Sequence, residues 1–170
     1  MEDVFLLRCL HNGLESFCIW YSDDKDGLFC DESKRILSFS NIKTAVLYLS
    51  QKGLTLSSDK DIPTYDFDCL MVWINSNDLT ICCVDILNYW NFFADVAYTT
   101  GKRFKGDKKN KSINLIYEKL FLGNNLPTIK PEDDENYLPI WETKQISIIK
   151  TVMADGLNIF SESIHFEPTR

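Results

Sequence analysis

Two runs rich in β-forming residues, Val4 to Leu10 and Ser16 to Tyr21, stand on either side of His11-Asn12-Gly13. Aromatic and branched residues favour extended backbone, and a short polar, glycine-containing link between two such runs predicts an antiparallel hairpin. The polar turn Asp23-Asp24-Lys25-Asp26-Gly27 follows, and then Leu28 to Cys30 and Arg35 to Phe39 read as a shorter hairpin around Asp31-Glu32-Ser33-Lys34. The first forty residues therefore predict a four-stranded meander whose buried face needs a cover.

Helical periodicity supplies that cover. Ser40 or Asn41 caps a helix with Ile42, Ala45, Val46 and Leu49 on one stripe and Gly53 as its stop. The stretch Thr55 to Pro63 is polar and turn-rich. Beyond it, Thr64 or Asp66 opens a short helix through Cys69, Leu70, Trp73 and Ile74. From Asp85, the stripe Ile86, Trp90, Phe93 and Ala97 predicts about four turns ending near Gly101. The lysine-rich stretch Lys102 to Lys111 reads as a solvated loop before a helix through Ile113, Ile116, Tyr117 and Leu120, closed by Gly123-Asn124-Asn125. Pro127, Pro131 and Pro139 punctuate a connection that holds the acidic run Glu132-Asp133-Asp134-Glu135. Trp141 to Met153 and Leu157 to Ile164 complete the helices, with an interruption expected at Asp155-Gly156. The expected fold is α/β of the α+β type, one domain over residues 1–170, with an N-terminal antiparallel sheet packed against several helices. A chain of 170 residues buries an adequate core without metal or disulfide staples.

The charge balance narrows the function. Residues 1–100 carry 15 acidic and 7 basic side chains, and the whole chain has a net charge of −7. Such a field repels phosphate backbones and favours basic partners, which argues against nucleic-acid binding. The start of the chain lacks the basic and apolar segments of an export signal, and no apolar run reaches the roughly 20 residues of a membrane helix. A cytoplasmic protein is expected, with its six cysteines (Cys9, Cys18, Cys30, Cys69, Cys82, Cys83) reduced.

Catalytic patterns are sparse. His11 and His165 are the two histidines, and each reads as a surface or capping residue rather than a base beside a nucleophile. The cysteine spacings match no zinc motif, and the seven scattered glycines form no phosphate loop, so neither metal nor cofactor is expected. Asp66 with Asp68, or Asp59 with Asp61, offers a carboxylate pair for a small hydrolase, set against solvated or helix-capping acids. The turn acids Asp23, Asp24, Asp26, Asp31 and Glu32 are the candidate partner-binding residues, because clustered like charge attracts a basic surface.

Four tracts carry a resemblance: Tyr65-Asp66-Phe67-Asp68-Cys69-Leu70, Ile86-Leu87-Asn88-Tyr89-Trp90-Asn91-Phe92-Phe93-Ala94-Asp95, Ile116 to Pro127, and Asp155-Gly156-Leu157-Asn158. Over about Leu28 to Ile164 the chain resembles bacterial immunity proteins of contact-dependent growth inhibition systems. The resemblance implies a non-enzymatic cytoplasmic antidote. Its partner would be the C-terminal toxin domain, often a nuclease, of a cognate large secreted effector. The alternatives are the small carboxylate-dependent hydrolase and a structural subunit of a larger complex.

Overall fold

Asn12 and Gly13 hold φ angles of 54° and 71°, the pair of left-handed residues that a two-residue type I′ hairpin turn requires. In the computed structural model, which describes residues 3–57, 61–127 and 136–166, this turn joins β1 (Asp3–His11) to β2 (Leu14–Ser22). Their antiparallel register runs from Asp3 opposite Ser22 to His11 opposite Leu14.

The second hairpin forms as a short antiparallel neck, the Leu37 N–H donating to the Phe29 carbonyl and the Asp31 N–H to the Arg35 carbonyl at 2.9 Å each, but the four-stranded meander does not. β3 (Gly27–Leu28) and β4 (Ile36–Phe39) both run antiparallel to β2, with Leu28 opposite Trp20 and Phe39 opposite Phe17. They form one lane of the sheet broken by a looped-out excursion, rather than successive rungs of a meander. Asp31 folds that excursion. Its Oδ1 accepts from the backbone N–H groups of Ser33 and Arg35 at 2.8 and 2.9 Å, and a bridge between Cys30 and Ile36 closes the neck.

α1 (Ile42–Gln51) is capped by Asn41, whose side chain accepts from the Thr44 N–H. α2 (Phe67–Asn75) is capped in the same way by Asp66, through the Cys69 N–H. α3 (Cys83–Thr100) ends on Gly101 at φ 70°. α4 (Lys111–Gly123) begins at Asn110, whose side chain accepts from the Ile113 N–H. α5 (Thr143–Ser163) starts with a reciprocal capping box between Glu142 and Gln145.

Three expectations are corrected here. α5 is continuous through Asp155-Gly156, because Gly156 provides room for a neighbour: a Cβ there would lie 2.3 Å from the Phe93 ring. The lysine-rich stretch is not wholly solvated, since Phe104 is buried, Lys105–Asp107 form a 3-10 turn, and the Lys105 N–H donates to Asp155 at 2.8 Å. The chain also adds two strands that the sequence pattern does not announce. β5 (Thr64–Asp66) lies parallel to β1 and β6 (Ile164–Phe166) parallel to β4, giving the order β5-β1-β2-β4-β6 with β3 also on β2. Asp59 and the run Glu132 to Glu135 lie outside the described residues.

Strand alternation divides the apolar side chains between two faces. Val4, Leu6, Ile19, Leu37 and Phe39 pack against Ala45 and Leu49 of α1. Leu7, Cys9, Cys18, Leu28 and Ile36 pack on the other face against α2, α3 and α5, where Phe67, Phe93 and Phe160 are fully buried. The result is a mixed α/β domain with one helix on one side of the sheet and the rest on the other.

Candidate functional site

A stripe of α3 places Asn88, Asn91, Phe92 and Asp95 beside the sheet, because positions i, i+3, i+4 and i+7 share a helix face. Phe5 and Leu7 of β1 and Trp20 of β2 meet that stripe from the helix-facing side of the sheet. Asp26 comes from the β2–β3 turn, and Asp61, Pro63 and Tyr65 close the far wall. These residues line a cavity of about 530 Å³. The Tyr65 and Phe92 rings sit 4.5 Å apart and the Phe5 and Trp20 rings 5.6 Å apart, giving the cavity two aromatic pairs among polar side chains.

Asp95 is partly buried at this site and accepts one hydrogen bond, from Trp20 Nε1 to Oδ2 at 3.0 Å. Burial pushes its carboxyl up to about 6; the Asp26 and Asp107 charges push the same way, and the Trp20 bond opposes them. Burial also takes the Tyr65 hydroxyl up to about 12. A second cavity, of about 390 Å³, shares Pro63, Tyr65 and Asn88 with the first and continues between α2 and α3 to Trp73, Asp78, Cys82 and Asp85. The two together make a groove with carboxylates at both ends, and no Lys or Arg lines it among the described residues.

The turn acids divide. Asp26 lines the groove and accepts from Ser22 Oγ at 3.0 Å; Asp23 and Asp24 are exposed on the same turn. Asp31 is taken up internally, its Oδ2 receiving Arg35 Nε and Nη2 at 2.8 and 2.7 Å, while Glu32 stands exposed on the excursion. The Arg35 N–H and guanidinium hold the Asp31 carboxyl below its usual range. Sequence reasoning missed Asp95, because nothing in its local sequence marks a carboxylate that packing alone desolvates. The helical stripe that includes it was the available signal.

Asp66 and Asp68 have structural tasks. Asp66 caps α2, and Asp68 receives the Asn12 and Gly13 N–H groups at 2.7 and 2.9 Å. His11, expected at a surface or cap, is partly buried with its ring edge-on to Phe67 and Phe160. Its Nε2 lies 3.0 Å from Ser161 Oγ, and burial lowers its pKa while the Asp68 charge opposes that shift. Serine, histidine and aspartate thus meet, but the Ser161 hydroxyl donates back to the Leu157 carbonyl of its own helix at 2.8 Å. The six cysteines are free, and Cys9 and Cys18 approach to 3.9 Å between sulfurs. Burial and a neighbouring Asp85 push the Cys82 thiol in the groove upward, which favours the protonated form. Among the described residues no helix is long and apolar enough to cross a membrane.

No family model matches this chain. The C-terminal domain of SatS, solved in complex with bromine, has a similar structure: TM-score 0.54 at 9% identity, covering 97% of this chain and 94% of that one. The likeness is one of fold. A protein of Antirrhinum majus named Cell division control protein 2 homolog D is 26% identical in an alignment of 137 residues that covers 75% of this chain and 44% of that protein. The chain spans under half of that relative's length, and at this identity no family membership follows.

Proposed function

We propose that this chain is an immunity protein, which binds and neutralises the toxin domain, a nuclease, of a contact-dependent inhibition effector in the cytoplasm. The observation that carries the reading is the groove between the sheet and α3, acidic at both ends and walled by aromatic side chains. A nuclease holds its substrate with Lys and Arg side chains, and those are the groups an acidic aromatic groove receives. Seating them there withdraws them from phosphate. The resemblance of four tracts to immunity proteins supports this class of partner, and the net charge of −7 would supply the long-range attraction. The reading needs no cofactor and no turnover.

Co-expression with the C-terminal fragment of the neighbouring large effector tests it. Stoichiometric capture and loss of the fragment's toxicity are expected; toxicity that persists beside a folded, abundant chain would sink the reading. The turn acids should act on encounter. Replacing Asp23, Asp24 and Asp26 together by Asn is expected to slow association several-fold at low salt, with a smaller effect at high salt. Unchanged stopped-flow association rates would remove that turn from the interface.

A further inference from the structure

The Asp95 end of the groove has the chemistry of a socket for one side chain. Its carboxylate lies on a long helix, fixed by Trp20 Nε1, inside a cavity whose walls include the aromatic side chains of Phe5, Tyr65 and Phe92 beside the polar Asn88 and Asn91. None of the ion pairs among the described residues includes Asp95. A carboxylate partly withdrawn from water with no cation beside it is less stable than one that a cation meets. Asp26 and Asp61 lie on the same cavity wall and add negative potential. The described acids do not converge as a metal cluster would, so the surroundings favour a delocalised organic cation over a metal ion.

We propose that this compartment receives a single arginine side chain of the partner, its guanidinium stacked on the aromatic walls and hydrogen-bonded to Asp95. This rests on the partner-binding reading above for the source of the arginine, and on the cavity alone for the chemistry. Guanidinium suits the site better than ammonium. It is planar and weakly hydrated, stacks on aromatic faces, and donates two parallel N–H groups to a carboxylate. Trp20 uses one lone-pair direction of Asp95, and an ionised carboxylate offers several.

The test uses the whole chain labelled with 15N and observes the Trp20 indole N–H during titration with N-acetyl-arginine N-methylamide. The citrulline analogue serves as neutral isostere and the lysine analogue as the ammonium probe. Saturable movement of the Trp20 signal is expected with arginine, at least tenfold weaker with citrulline and several-fold weaker with lysine. Lowering the pH from 7 to 5 should weaken arginine binding about tenfold as Asp95 gains its proton. Burial dominates that titration, the Trp20 bond opposes it, and Asp26 on the turn and Asp107 on the 3-10 turn reinforce it; Asp61 and Tyr65 are the other titratable groups facing the cavity.

Asp95→Asn, checked for cooperative unfolding, should abolish the response, and Glu118→Gln, at an exposed acid of α4 outside the cavity lining, should leave it. An unmoved Trp20 signal, or equal movement with arginine and citrulline or with arginine and lysine, overturns the proposal. The two readings fail separately. A saturable arginine response in a chain that captures no effector fragment keeps the socket and removes the immunity reading. Fragment capture at undiminished affinity by Asp95→Asn removes the socket and keeps the immunity reading.

Discussion

Burial holds the Asp95 carboxyl at about 6 against a usual 3.8, so over that window the folded chain keeps a proton that the unfolded chain has lost. A group of this kind subtracts stability as pH rises through the window, and the full penalty stands above pH 6. Asp95→Asn keeps an acceptor for Trp20 and removes the charge. It is expected to raise stability at pH 7 by ~1–2 kcal/mol after allowance for partial exposure, with the gain shrinking toward pH 4.5. Urea unfolding at the two pH values checks this, and equal gains at both would refute the linkage. His11 works in the other direction: burial lowers its pKa, so acidification below about 6.5 costs stability. Gly156 illustrates a residue whose meaning lay in a distant partner. In the sequence it looks like a helix breaker, whereas its role is to let the Phe93 ring approach α5. Gly156→Ala should destabilise the chain by about 1–3 kcal/mol through overpacking, measured by thermal unfolding. A neutral result would mean that Phe93 has room to turn aside.

Elements were legible wherever a local pattern encodes them. The Asn12-Gly13 turn, the Asn41 cap, the α3 stripe and the Gly101 stop are each written in a few adjacent residues, and each occurs as read. β5 and β6 are three residues long and exist because β1 and β4 offer them parallel partners, so no periodicity could mark them. The lane shared by β3 and β4 has the same cause, since only β2 decides where the chain resumes after the excursion. Asp68 shows how elements are tied together: it stands in the first turn of α2 and receives both N–H groups at the tip of the β1–β2 hairpin. Asp68→Ala should cost ~1–2 kcal/mol and speed amide hydrogen exchange at Asn12 and Gly13, with the far end of the hairpin unaffected. Unaltered exchange at those two amides would show that the turn holds itself.

Across the whole molecule, β1, β2 and β4 serve both apolar layers, and alternate residues of one strand enter α1's core and the larger helical core. Loss of either layer therefore exposes the back of the other. Unfolding should be a single transition, with tryptophan fluorescence, whose four indoles all pack with the helical-side core, and hydrogen exchange of the α1 amides giving the same midpoint; separated midpoints would mean two independent units. The charge asymmetry of the candidate site was visible in composition, but its concavity was not, since the groove is assembled from β1, β2, the β2–β3 turn, β5 and α3. One feature of the topology governs how such a molecule is made. β4 is laid down within the first forty residues, whereas β6, which covers its outer edge, is translated after α5. Throughout that interval a nascent chain presents an uncovered strand lane, an invitation to a neighbouring nascent chain on the same message. Emergence of residues 164–166 from the ribosome is what ends that exposure of β4, which places the risk of misassembly along this lane in synthesis.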